Sequence, residues 1–294
     1  MLSYLAQQSI NALQLGSIYA LIALGYSMVY GVLTMINFAH GDLFMLGAFA
    51  CMILATLLPV HLPFVIILLL VMVLVGLLGT AIERFAYRPL RGGPRVSAII
   101  TALGCGLLIE SLTLVKFPYA QSMPPLFNNT IHPFLGLTIS TLQILIIGVA
   151  ITLMIALDFL IRKTAYGIAM RAISFDARIV PLMGVPVNRV ISMTFFIGAG
   201  LGGAAGMLYG MAYPVIAPLM GVLVGWKAFV AAVIGGIGSI RGAVLGGFIL
   251  GAVEVMTVVF LPSTYRDLIS YSLLLLILIF KPFGILGSPP NQKV

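Results

Sequence analysis

The chain has 294 residues, 62% of them hydrophobic and only 7% charged, and its mean hydropathy is +1.20. Soluble domains carry about a quarter charged residues, so no soluble core could hide this apolar surface and its solvent must be lipid. Fifteen Lys+Arg stand against seven Asp+Glu, a formal charge of +8. The basic residues fall between apolar runs and are not interleaved with aromatics, so they act as topology signals and point away from a nucleic-acid partner.

A spanning helix needs about 20 apolar residues to cross about 30 Å of hydrocarbon. That rule places spans near 10–33, 42–58, 63–83, 96–115, 140–161, 190–212, 221–240, 243–260 and 268–280. The expected fold is all-α: one polytopic transmembrane helical bundle over 1–294, with eight to ten spans, some short or broken. The first segment, "MLSYLAQQSINALQLGS", has no Lys or Arg ahead of its apolar run. It lacks the basic start of a signal peptide, and the first span is expected to be retained.

Between the first two spans lies "TMINFAHGDLFML", which packs Asn37, His40 and Asp42 into six residues around Gly41. A plain loop needs no explanation for them. A broken helix whose freed backbone lines a cavity is the functional alternative, since transporters place such breaks at substrate sites. A proton relay is disfavoured, because only Glu110 and Glu254 are available as intramembrane partners.

Next, "RFAYRPLRGGPR" carries Arg84, Arg88, Arg91 and Arg95, with Glu83 at its edge, and is expected to be cytoplasmic. The stretch 118–140 has no Lys or Arg and is expected outside. Residues 162–189 carry Arg162, Lys163, Arg171, Arg178 and Arg189, a second cytoplasmic loop. With nine spans the N-terminus falls outside and the C-terminus, with Lys281 and Lys293, inside.

The loop 162–189 has a helical pattern of its own. Ile168, Ala172, Phe175 and Ile179 form one stripe, Arg171 and Arg178 stack beside it, and Pro181 and Gly184 stop the helix. Such a helix either lies on the membrane interface or docks into a partner. Downstream, Gly198, Gly202, Gly206 and Gly210 repeat at i+4, as do Ala243, Gly247 and Gly251, the marks of close helix packing in lipid. Gly235, Gly236, Gly238 and Gly242 are too dense for a continuous helix, at about 1 kcal/mol each relative to Ala. They mark a break, with Arg241 on its cytoplasmic side. Lys227 and Glu254 are expected to pair between neighbouring helices, and Asp158 to pair with Arg162 at a span end. Cys51 and Cys105 lie in apolar runs without metal or disulfide spacing.

The segments "NFAHGDLFMLGA" (37–48), "ERFAYRPLRG" (83–92), "MRAISFDARIVPLMGV" (170–185), "AFVAAVIGGIGSIRGAVLGGFILGAVE" (228–254) and "KPFGILGSP" (281–289) occur in that order. Together they resemble the LivH-type permeases, membrane subunits of bacterial ABC importers for branched-chain amino acids. The resemblance implies a second, related permease, two cytoplasmic ATPase subunits and a periplasmic substrate-binding protein as partners. It implies a multi-pass protein of the bacterial inner membrane, with no cofactor in this chain and ATP bound by the partner subunits. The helix near 168–183 then stands where such importers carry the coupling helix that sits in an ATPase groove. Arg171 and Ala172 replace the usual acidic-Ala-Ala start, while Gly184 is kept. On this basis Arg171, Ala172, Phe175, Arg178, Ile179 and Gly184 are ATPase-coupling candidates. Asn37, His40, Gly41, Asp42, Gly235, Gly236 and Gly238 are translocation-path candidates.

The chain has no G-x-x-x-x-G-K-[ST] phosphate loop, so ATP-driven transport needs an ATPase on another chain. The competing expectation is an ion-coupled secondary transporter using His40, Asp42 and the buried glutamates. An intramembrane enzyme is disfavoured, since neither H-E-x-x-H nor G-x-S-x-G occurs.

Overall fold

In hydrocarbon the backbone N–H and C=O groups find no water, so each apolar run must close its hydrogen bonds within itself and becomes a helix. The computed structural model describes residues 2–57, 62–134, 136–177 and 179–287. Its α-helices are α1 (Leu2–Leu33), α2 (His40–Leu57), α3 (Phe64–Ile82), α4 (Arg95–Lys116), α5 (Thr141–Lys163), α6 (Ala165–Asp176), α7 (Val187–Ala212), α8 (Met220–Gly235), α9 (Ile240–Phe260) and α10 (Tyr265–Phe280). Among the described residues, seven helices are long and apolar enough to cross a membrane: α1 to α5, α7 and α9. The other two spans expected from the sequence, α8 and α10, have 16 residues each, about 24 Å of helix.

Several boundaries differ from the expected ones. Helix α1 begins at Leu2 rather than near residue 10, because its polar first turns find partners. Gln7 donates to the Thr138 carbonyl at 2.8 Å, and Asn11 accepts from Gln143 at 2.8 Å. Helix α5 starts on a reciprocal cap: the Ser140 hydroxyl accepts from the Gln143 N–H, and the Gln143 side chain accepts from the Ser140 N–H. The glycine break is narrower than expected, with α8 running to Gly235 and α9 starting at Ile240. Gly236 and Gly238 turn the chain with φ of +111° and +89°, and the Ser239 hydroxyl caps α9 through the Gly242 N–H.

The loop helix is shorter than the expected 168–183. Helix α6 stops at Asp176, and a 3-10 turn, Val180–Met183, follows. Pro181 in that turn has no N–H and its ring excludes a helical residue four positions back. Gly184 then reverses the chain at φ +77°. Ile179 therefore lies outside the helix, while Arg178, Lys293 and the last two residues of the 281–289 segment lie outside the described residues.

Helices α1 and α7 form the centre, with α9 against one side of α1 and with α2 and α3 against α7. Helices α3, α4, α5 and α10 turn bare apolar side chains outward, among them Leu77, Leu108, Ile155 and Ile279. Exposed leucine on a spanning helix costs nothing when the solvent is lipid.

Polar segments sort to the two ends of the bundle. At one end, β1 (Gln121–Ser122) pairs antiparallel with β4 (Val215–Ile216). There too, β2 (Ile131–Phe134) pairs with β3 (Leu137–Ser140), whose Thr138 meets α1 at Gln7. At the other end the basic segments meet: Arg91 bonds Asn188 at 2.8 Å, and Tyr166 of α6 donates to the Val190 carbonyl at 2.9 Å. The two segments expected on one side of the membrane share one end, and the stretch 118–140 lies at the opposite one. Cys51 is buried and Cys105 half-buried, both as free thiols.

Candidate functional site

Helix α1 ends at Leu33, and Thr34 turns the chain back at φ +52°. Residues 34–39 run without helix before α2 begins at His40. The three polar residues of this break go to three different places. Asn37 is buried and its Oδ1 accepts a 2.9 Å hydrogen bond from the Tyr87 hydroxyl. Tyr87 reaches it because α3 ends in one wide π turn, Glu83–Tyr87, which carries the ring inward. His40 is enclosed between α1 and α7. Its ring stands edge-on to Tyr26 at 4.7 Å and fills the space left by Gly25 and Gly202.

Asp42, in the first turn of α2, behaves differently. Its carboxylate is wedged between α4 and α8. A Cβ on Gly106 would stand 2.6 Å from Oδ2, and one on Gly221 would stand 2.8 Å from Oδ1. Side-chain-free positions on both helices are what admit it. The carboxylate borders a cavity of about 310 Å³ that Glu110 of α4 also lines. Tyr26, Phe38, Trp226 and Phe229 line the cavity on its aromatic side, and Leu103 and Leu107 on its aliphatic side. Among the described residues, no Lys, Arg or His is in its wall. Gly41 is in that wall too, its Cα 2.7 Å from where a Gly225 Cβ would be. The N-termini of α2 and α8 thus meet inside the bundle, at the level of Tyr26, about two turns before the end of α1.

Of the residues expected on the path, the structure brings Gly41 and Asp42 to this cavity, with Asn37 and His40 as supports behind it. Gly235, Gly236 and Gly238 lie elsewhere. Gly235 packs on Gly242 of α9, and Gly236 packs on Gly287 and Phe283 of the C-terminal segment. That segment is tied there by the Ile285 and Leu286 N–H groups, which donate to the Ile234 and Gly235 carbonyls at 2.9 Å each. Gly238 packs on Tyr30 and Gly31. These glycines let two helix ends and a returning chain touch.

The i+4 glycine stripe of α7 faces α1 and α2. Gly198 meets Gly25, Gly202 meets His40, Gly206 meets the Phe44 carbonyl, and Gly210 meets Ala48. The second stripe, with Gly247 against Ala20 and Gly251 against Gly16, seats α9 on α1.

Lys227 Nζ lies 3.0 Å from Glu254 and 2.8 Å from Asp267 at the start of α10. Tyr19 donates to the other Glu254 oxygen at 3.0 Å. The cluster joins α1, α8, α9 and α10, and Asp267 was not expected in it from sequence. Asp158 and Arg162 pair at 2.6 Å, one turn apart on α5.

A second network was missed entirely. Glu83 is fully buried and is held by Arg91, by Arg88 at 3.4 Å and by the Ser192 hydroxyl. Arg88 also donates to Ser192 at 3.0 Å. The group locks the turn after α3 to the first turns of α7. The sequence signal was one acid among four arginines in 83–95.

On α6 the buried side is Gly167, Met170 and Ile173, and Arg171 donates to the Ile161 carbonyl at the end of α5. Gly167 sits directly on that same carbonyl, where a side chain has no room. Burial pushes the Tyr166 phenol up to about 12 against the small opposing effect of its Thr194 hydrogen bond. It stays an uncharged donor, holding α6 on α7 throughout the neutral range. The opposite face is bare: Ile168 and Phe175 are 59% and 70% exposed, and Ile179, beyond the helix end, is 56% exposed.

Comparison with known proteins agrees with this architecture. Residues 9–278 match the model of the family described as "Branched-chain amino acid transport system / permease component". The high-affinity branched-chain amino acid transport system permease protein LivH of Escherichia coli is 41% identical over 302 aligned positions, covering 99% of this chain and 98% of the relative. BraD of Pseudomonas aeruginosa, with the same description, is 42% identical over 299 positions, covering 98% and 97%. The autoinducer 2 import system permease protein LsrC of Klebsiella pneumoniae is 27% identical over 197 positions, covering 64% and 56%. This polytopic helical membrane protein belongs to the family of branched-chain amino acid transport system permease components.

Proposed function

We propose that the chain is the permease subunit of an ATP-driven importer of branched-chain, or other small apolar, amino acids, and that it forms the path with a second, related permease. The observation that carries this reading is identity above 40% to LivH and BraD over nearly the whole chain, so that every element around the cavity lies within the matched length. Two cytoplasmic ATPase subunits would supply the energy, and a separate binding protein would deliver substrate. The end holding α6 and the arginines of 83–95 is assigned to the cytoplasm of the bacterial cell, because Lys and Arg are retained there. The described chain after α10 packs at that same end, where Leu286 bonds Gly235, which supports reading the C-terminal side as cytoplasmic too.

Helix α6 supplies the docking face. Its inner side is anchored on α5 and α7, so a push on its bare outer side reaches the spans as a rigid displacement. Phe175, at 70% exposed, is the largest apolar group there. Phe175→Asp is expected to cut co-purification of the ATPase subunits at least tenfold, which corresponds to about 1.4 kcal/mol, while gel filtration shows the spans still folded. ATPase recovery equal to wild type would remove the docking role. The overall reading is tested by native mass spectrometry of the complex and by uptake into proteoliposomes. Leucine uptake should require ATP and the binding protein. Uptake by this chain without any ATPase, or uptake that collapses with the proton gradient at constant ATP, would favour an ion-coupled carrier instead.

A further inference from the structure

The cavity between α2, α4 and α8 holds acid without base. Asp42 is only 4% exposed and lines the cavity, and its buried Oδ1 has no hydrogen-bond partner among the described residues. Glu110 faces it across the same space. Two carboxyls in apolar surroundings repel each other when both are charged, and among the described residues nothing basic lines the wall to offset them. The remaining wall is suited to a cation as well. Phe38, Trp226 and Phe229 cluster with ring centres 5.8 to 6.2 Å apart, and Tyr26 lies 6.1 Å from Phe229. Aromatic faces attract ammonium groups most strongly where water is displaced. The volume of about 310 Å³ is at the small end of ligand pockets, about 300–1,000 Å³.

Resting on the importer reading above, we infer that this cavity is an intramembrane subsite for the ammonium group of the substrate amino acid. Asp42 and Glu110 take the cation, the aromatic cluster encloses it, and the substrate's apolar side chain lies along Leu103 and Leu107. The site is weak by design, since a path must release what it binds.

Trp226 is the single tryptophan of the chain, and it reports on the cavity from within. The intact complex, with its ATPase and partner permease, is titrated in lipid nanodiscs without the binding protein. Subtracting a Trp226→Phe complex isolates the emission of this one residue. The probes are L-leucine, 3-methylbutylamine (ammonium only) and 4-methylpentanoate (carboxylate only). Leucine and the amine should change the emission, and the acid should not. Glu110→Gln should weaken both responses at least tenfold, and Glu110→Asp, which keeps the charge, should largely restore them. An acid response equal to the amine's would overturn the subsite. So would no response to any probe, an unchanged response in Glu110→Gln, or a response to pH alone from a proton shared by the two carboxyls. Leucine uptake by the wild-type complex is measured in parallel, in proteoliposomes supplied with ATP and the binding protein. Uptake without an amine response removes the subsite alone, whereas no uptake removes the importer reading on which it rests.

Discussion

Gly206→Leu is expected to abolish folding of the bundle. Gly206 sits at the closest approach of α7 to α2, where an added Cβ would overlap the Phe44 carbonyl and come within 3.1 Å of the Ala48 nitrogen. Both neighbours are helix backbone and cannot rotate away. Overpacking against movable side chains costs about 1–3 kcal/mol, and against fixed backbone the cost lies at or above the top of that range. The same substitution at Gly104 or Gly148, where nothing lies within 4 Å, should be tolerated, because those positions face open space. The measurement is the yield of monodisperse protein after detergent extraction, with thermal unfolding of whatever survives. A Gly206→Leu protein with wild-type yield and Tm would show that α2 and α7 are not packed as described.

Glu83→Ala should be nearly as damaging, for an electrostatic reason. The fully buried carboxylate is the shared acceptor of Arg88, Arg91 and Ser192. Removing it leaves two guanidinium groups converging on an apolar pocket. Breaking a buried pair from one side costs about 3–5 kcal/mol. The lower end is expected here, since the Arg88 and Arg91 side chains are 34% and 18% exposed and stay partly hydrated. The turn after α3 should then detach from the start of α7, and Tyr87 should lose its hold on Asn37. Protease nicking within 83–95 under native conditions would report the detachment. A variant as resistant as wild type would mean that the arginines find water instead.

Much of this was readable along the chain. Each of the nine expected spans corresponds to a helix, because an apolar run in lipid has one way to satisfy its backbone. The i+4 stripes at Gly198 to Gly210 and Ala243 to Gly251 meet neighbouring helices, since periodicity is a local property. The Lys227–Glu254 proximity also followed from scarcity: few charges in lipid leave few choices of partner. The end of α6 is not legible in the pattern, because the stripe from Ile168 continues in phase to Ile179, while Pro181 acts four residues upstream of itself.

The polar break at 37–42 shows where such reading stops. Three polar residues within six positions look like one site. They separate because different elements claim them: Tyr87 of the turn after α3 takes Asn37, Gly25 of α1 and Gly202 of α7 enclose His40, and only Asp42, between α4 and α8, reaches the cavity. Likewise Glu110 shares a cavity with Asp42, and Gly235, Gly236 and Gly238 are packing contacts. No spacing rule relates residues of separate helices.

The sequence by itself determined the solvent, the helical class, the sorting of basic segments to one end and the family. All of these follow from composition, from hydrogen bonding within a segment, or from similarity spread along the whole chain. Only the tertiary structure decided which acids share a cavity, which histidine is enclosed and which face of α6 is left bare. Those outcomes depend on lateral contacts between helices, and in lipid these are set by where small residues allow two backbones to approach.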